Sequence, residues 1–184
     1  MNEPRQRLFF ALWPSPPLAQ ALRRLARERF ADPGARILQA DQLHLTLIYL
    51  GPVDTQQRTC AEQVADGVRA DALTLSLSRL GFWSRPGIGW LAPQSSPPSL
   101  LALVSQLQRG LGECGFQIDA RPWQAHLTLV RKLRRPPLSE ALDEPLLWPV
   151  DEFALVESQT LPSGAEYRIL QRWSLVGHAP QENH

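Results

Sequence analysis

The sequence predicts an α+β fold: a bilobal, pseudo-two-fold duplication with two antiparallel sheets, each backed by helices, and a central cleft between them. Three observations point there. A tetrapeptide occurs twice, as His44-Leu45-Thr46-Leu47 and as His126-Leu127-Thr128-Leu129. A Ser-Pro-Pro triplet precedes each copy, beginning at Ser15 and at Ser96, and each triplet opens a stretch of helical periodicity. Each triplet follows an apolar run, so strand, cap, helix and tetrad strand recur in the same order. The expectation is one domain over residues 1–184 built from approximate repeats 7–81 and 88–176.

The elements follow from local chemistry. Arg7 to Trp13 (RLFFALW) reads as a buried strand closed by Pro14. Ser15 caps a helix to about Phe30 whose first turn takes Pro16 and Pro17, where a missing N–H removes no bond. Leu18, Leu22, Leu25 and Arg29 then share one face. Asp32-Pro33-Gly34 ends it, Arg36 to Gln39 is a short strand, and Asp41-Gln42 turns into the first tetrad strand, Leu43 to Leu50. Gly51-Pro52 stops that strand. Asp54 to Arg69 is a second amphipathic helix through Cys60, Val64 and Val68. Leu73, Leu75 and Leu77 alternate with Thr74, Ser76 and Ser78 in a half-buried strand running towards Phe82. After Pro86-Gly87 comes a strand from Ile88 to Ala92, then the second Ser-Pro-Pro helix through Leu100, Leu103, Leu107 and Leu111. The second tetrad strand is Ala125 to Val130. Arg134 to Pro149 reads as an irregular excursion, Glu152 to Ser158 and Tyr167 to Val176 as a strand pair around Pro162-Ser163-Gly164, and His178 to His184 as a frayed tail.

Bulk properties narrow the class. The 184 residues are 43% hydrophobic and 20% charged, an ordinary globular balance, and the net charge of +1 supplies no overall basic field. Arg131, Lys132, Arg134 and Arg135 form a local basic run, fit either for a phosphate backbone or for a solvated loop. Cys60 and Cys114 lie in helical segments without CxxC spacing, so they read as free, semi-buried thiols in a reducing cytoplasm. No apolar run approaches about 18 residues, and the N-terminus has no cleavable signal pattern. A soluble cytoplasmic protein is expected, with no membrane contact.

Strand alternation puts His44 and Thr46 on one face and Leu45 and Leu47 on the other, and divides the second tetrad likewise. Each strand then offers an imidazole and a hydroxyl about 7 Å apart. An imidazole with a pKa of about 6.5 both takes and gives a proton near neutrality. Threonine hydroxyls donate hydrogen bonds to anionic oxygens without adding charge. Two such strands facing across a cleft suit phosphodiester cleavage, which must activate an attacking oxygen and protonate a leaving one. A metal site is the rival: two histidines fall short of three or four ligands, with Asp41 and Asp119 as the open additions. No metal or cofactor is expected.

At these residues the sequence resembles the two-histidine (2H) phosphoesterase superfamily, whose signature is two His-x-Thr/Ser-x motifs. More narrowly, it is similar to the RNA 2′,3′-cyclic phosphodiesterases, also called 2′-5′ RNA ligases. RLFFALW, DQLHLTLIYLG, RPWQAHLTLVR and EFALVESQTLPSGAEYRIL carry the likeness. The resemblance implies metal-independent hydrolysis of a 2′,3′-cyclic phosphate to a 2′-phosphomonoester, with His44 as proton donor, His126 as proton acceptor, and Thr46 and Thr128 on the phosphate oxygens. It implies RNA ends as substrate, tRNA fragments and small cyclic nucleotides among them, and the working expectation for assembly is a monomer. Alternatives are 2′-5′ ligation as the main activity and a non-catalytic module that captures RNA ends. Ala125 stands where the family commonly has proline, and Ile48 where the subgroup often has a basic residue. Arg131 matches a basic position, yet alternation puts it opposite His126, so it reaches substrate only if the strand bends or bulges. Phe9 or Phe10 is a candidate for stacking on a base, with core packing as the other reading, and Tyr49 falls on the leucine face.

Overall fold

The computed structural model describes residues 5–119, 121–162 and 164–176. The elements run β1 (Gln6–Leu12), α1 (Pro16–Arg29), β2 (Arg36–Ile37), a single 3-10 turn (Ala40–Gln42), β3 (Leu45–Val53), α2 (Thr55–Asp66), β4 (Leu73–Trp83), β5 (Ile88–Pro93), α3 (Pro98–Glu113), β6 (Leu127–Arg131), β7 (Ala141–Val150), β8 (Glu152–Leu161) and β9 (Gly164–Ser174). The expected tail from His178 lies outside the described residues, as does Ser163 in the last turn.

Helix starts behave as the local chemistry dictates. In α1 the carbonyl of Ser15 accepts the Ala19 N–H at 2.9 Å, and the two prolines fill the first helical positions. Asp54 accepts the Gln57 N–H at 2.8 Å while the Gln57 side chain accepts the Asp54 N–H at 3.2 Å, a reciprocal cap on α2. α3 opens one residue later than its triplet suggests, with Pro97 as the cap.

The strands pair antiparallel in the order β7-β4-β5-β6-β3-β1-β8-β9, with β2 on the free length of β6. This corrects the expected pair of sheets: the two halves form one sheet, joined where Leu45 of β3 pairs with Leu127 of β6. Left apart, each tetrad strand would present an edge of unpaired backbone groups, and pairing satisfies them. About that junction the order is symmetric, β1 beside β3 and β5 beside β6. The excursion over residues 134–149 is the second correction. Its second half is the strand β7, and Pro145 and Pro149 are tolerated because β7 is an edge strand with β4 on one side only.

One face of the sheet carries the main core. Leu8, Phe10, Leu12, Leu45, Leu47, Leu127 and Leu129 pack there against the buried residues of all three helices. The opposite face carries a smaller cluster of Phe9, Ala11, Ala154 and Val156, with Trp13 and Tyr167 against it.

Cys60 of α2 and Cys114 at the end of α3 form a disulfide, with Cα atoms 6.0 Å apart. The free-thiol reading is overturned, and the compartment inferred from it loses that support. The helices approach closely because Gly110 has no side chain: a Cβ there would stand 2.6 Å from Val64 Cγ1. Among the described residues, no helix is long and apolar enough to cross a membrane.

Both tetrad strands bulge at their fourth residue. Phe10 pairs with Ile48 and Ala11 with Thr46, so β1 skips Leu47; Gly89 pairs with Val130 and Trp90 with Thr128, so β5 skips Leu129. Each bulge resets the alternation. Ile48 and Val130 turn inward beside their leucines, and Tyr49 and Arg131 come out on the histidine side of the sheet. Tyr49 is 54% exposed rather than core, and its hydroxyl accepts a bond from Arg7 Nη2 at 2.8 Å.

Candidate active site

His44 and His126 each stand one residue before their strand, at β3 and β6, rather than inside it. In both, the ring is set by the same bond: His44 Nδ1 lies 2.9 Å from the Gln42 carbonyl oxygen, and His126 Nδ1 lies 2.9 Å from that of Gln124. A carbonyl only accepts, so Nδ1 carries the proton and donates. That leaves Nε2 as the nitrogen of each ring outside this bond.

The Leu45–Leu127 pairing sets the two motifs against each other. One step either way in an antiparallel register brings His44 level with Thr128 and Thr46 level with His126, on the face opposite the leucines. The two imidazoles then occupy diagonal positions, about 7–8 Å apart at the backbone. The four candidate residues converge at one junction. Thr46 and Thr128 are half-buried there, and the four leucines of the tetrads are buried.

The two histidines differ in their surroundings. His44 is enclosed by aromatic rings: Trp13 stacks on it at 5.2 Å with 6° between planes, Tyr167 meets it edge-on at 4.9 Å, and Phe9 lies tilted at 4.9 Å. Burial among these rings is the main cause that lowers its pKa to about 4. The Gln42 carbonyl opposes the shift, and the positive charges of Arg131 and His126 add to it. His44 is therefore neutral at pH 7 in the free protein. Among the described residues His126 meets the ring of Trp83, edge-on at 4.8 Å. It opens on a groove of about 880 Å³ whose walls include Thr46, Tyr49, Trp83, Gln117 and Trp123.

The remaining candidates divide. Arg131 sits on the site face through the bulge, close enough for its charge to act on His44. Phe9 is only 4% exposed and is covered by His44 and Tyr167, so it supports the imidazole and has no free face for a base. Phe10 lies in the main core. Asp119 is taken up by Arg121, whose guanidinium holds its carboxyl down to about 2. Among the described residues no three His, Cys, Asp or Glu side chains gather as a metal-ligand set.

Sequence reasoning missed Trp13, Tyr167 and Trp83 as parts of the site. Trp13 was within reach, since alternation from Phe9 through Ala11 puts it on the same face. Tyr167 had no local signal, because only the β8–β9 pairing brings it to His44.

A family model described as the 2′-5′ RNA ligase superfamily matches residues 14–161. The chain is 31% identical over 181 residues to an RNA 2′,3′-cyclic phosphodiesterase of Escherichia coli (strain K12), covering 96% of this chain and 99% of that one. It is 29% identical over 188 residues to an RNA 2′,3′-cyclic phosphodiesterase of Thermus thermophilus, covering 96% and 93%. Among solved structures, E. coli LigT complexed with 3′-AMP superposes with a TM-score of 0.83 at 29% identity, covering 93% of this chain and 98% of that one. The apo form of LigT gives 0.84 at 28% identity, covering 95% and 99%.

Proposed function

The chain belongs to the 2′-5′ RNA ligase superfamily, and from that premise we propose that it hydrolyses RNA 2′,3′-cyclic phosphates to 2′-phosphomonoesters, with His44 and His126 as the acid/base pair. The relatives' named activity supports the reaction. The observation that carries the mechanism is the matched pair of Nδ1–carbonyl bonds on adjoining strands, which presents two Nε2 atoms to one place.

Water attacks phosphorus and gives a proton to His126 Nε2. The P–O3′ bond breaks, and O3′ takes a proton from His44 Nε2. Thr46 and Thr128 donate hydrogen bonds to the non-bridging oxygens, and Arg131 offsets the charge that gathers on them. The donor and acceptor labels follow the family likeness. They set a condition on His44: a ring with a pKa of about 4 is not protonated at pH 7 until an anion sits beside it. The phosphate of the substrate supplies that anion, so substrate binding charges the donor.

A second reading, 2′-5′ ligation, is favoured by one observation. The groove beside His126 is large enough for a nucleoside, so a 5′-hydroxyl can take the place of water. The substrates we propose are RNA ends, tRNA fragments and small cyclic nucleotides, turned over by a monomer. RNA ends arise in the cytoplasm, where we place the enzyme. There the Cys60–Cys114 bond is an exception to the rule that cytosolic thiols stay reduced.

The test is turnover of adenosine 2′,3′-cyclic phosphate by His44→Ala and His126→Ala, with binding of 2′-AMP measured alongside. Loss of turnover with binding retained supports catalysis. Wild-type protein that binds but never turns over would make it an RNA-end-binding module instead.

A further inference from the structure

Arg36 of β2 and Arg131 of β6 are direct cross-strand partners. Partners of this kind share a face with Cβ atoms about 4.5–5.5 Å apart, and like charges so placed destabilise the sheet. Among the described residues neither guanidinium has a carboxylate partner. The pair is thus a local liability with no structural return.

Arg36 also lies against the start of β9. Its guanidinium lies on Gly164, where an added Cβ would stand 2.7 Å from Nη2 and 3.0 Å from Nη1, so any other residue at that turn would displace it. The next residue, Ala165, accepts a bond from Gln42 Nε2 at 2.9 Å, and the Gln42 carbonyl in turn accepts from His44 Nδ1. The guanidinium of Arg36 and the imidazole of His44 therefore hang from one short chain of contacts. Arg131 shares that face of the sheet, and its charge already acts on His44.

We propose that Arg36 and Arg131 clamp a second phosphate of the substrate: the 5′-phosphate of the nucleotide whose 2′,3′-cyclic phosphate reacts. This rests on the reading that the site acts on 2′,3′-cyclic phosphates. β2 pairs with the same edge of β6 as β3, so Arg36 lies in line with β3, at the level of Arg131 and three residues along β6 from Thr128, about 10 Å along the sheet from the level of His44. Because the chain ends at the cyclic phosphate, the nearest other anion it carries is the phosphate on its 5′ side. Two unpaired guanidinium forks match the geometry of such an oxyanion. The clamp makes Arg36 a specificity residue that favours an RNA end over a bare nucleoside cyclic phosphate.

The experiment compares adenosine 2′,3′-cyclic phosphate with its 5′-phosphorylated form. Wild-type protein should favour the 5′-phosphorylated substrate in kcat/KM by about tenfold, mainly through KM. Arg36→Gln should erase that preference, bringing kcat/KM for the 5′-phosphorylated substrate down to that for the unphosphorylated one, and continued turnover of the latter shows that the variant folds. Should Arg36→Gln not fold, Arg36→Lys carries the same comparison, since it keeps the charge but loses the two-pronged bond, and the preference should shrink. A wild-type protein that hydrolyses both substrates equally well overturns the clamp and leaves the catalytic reading intact. So does a variant that lowers both rates by the same factor. Hydrolysis of neither substrate by wild-type protein sinks the catalytic reading itself.

Discussion

The indole of Trp13 lies parallel to the imidazole of His44, with 6° between the planes and 5.2 Å between centroids. This stack covers one face of the His44 ring, and burial by it together with Tyr167 and Phe9 is the main cause of the lowered pKa. It also makes the proton on His44 a reporter of everything that binds nearby.

His44 should titrate near pH 4 in the free protein, as read from its ring resonances by NMR. Trp13→Ala admits water and should move that value up by about a unit or more, towards the unperturbed value of about 6.5. The folded-state pKa lies below the unfolded one, so the unfolded chain binds more protons between about pH 6.5 and 4. Stability from this group is full above about 6.5 and is lost as pH falls through about 4. Urea midpoints taken across that window should drop less for Trp13→Ala than for wild type. A phosphate ion or 2′-AMP should raise the His44 pKa, and by linkage should bind more tightly as pH falls. A His44 pKa unmoved by either ligand would sink the substrate-charged donor.

Replacing either histidine by alanine should lower kcat by about 10²–10⁴-fold while changing the affinity for 2′-AMP only a few-fold. Turnover should persist in chelator, with a bell-shaped dependence of kcat/KM on pH whose alkaline limb is the loss of the His44 proton, since the donor must be charged while the acceptor is neutral. Activity abolished by chelator and restored by zinc would show that two imidazoles alone do not carry the reaction.

Reduction of Cys60–Cys114, or Cys114→Ser, should cost about 2–4 kcal/mol of stability, since 54 residues separate the joined positions. Urea unfolding with and without reductant measures this. Cys114 is also the root of the segment that brings Gln117 and Trp123 to the groove, so KM should rise more than kcat falls. An unfolding midpoint indifferent to reductant would count against a formed bond.

Gly81→Ala should be as costly as a core overpacking change, about 1–3 kcal/mol. Its Cβ would stand 2.0 Å from the Trp90 ring, which lies across the glycine. Trp90 packs on Trp83, and Trp83 on His126, so the displacement should also lower kcat/KM. Thermal melts and steady-state kinetics on one preparation test both effects.

The local pattern alone pointed to the candidate pair, His44 and His126, because a His-x-Thr-x tetrad in a strand sorts its own side chains: leucines to the core, imidazole and hydroxyl to the other face. It also determined most strands and the starts of α1 and α2, where proline and aspartate act on the residues next to them. Tertiary structure decided what depends on a partner. Arg131 and Tyr49 reach the site because β5 and β1 each skip a residue at Leu129 and Leu47, and a two-residue alternation read along one strand has no means of registering what its neighbour skips. The joining of two sheets at Leu45 and Leu127, the bonding of Cys60 to Cys114 and the closing of Tyr167 over His44 share that origin. Each is a contact between segments far apart in the chain, settled by which faces pack together and not by any run of neighbouring residues.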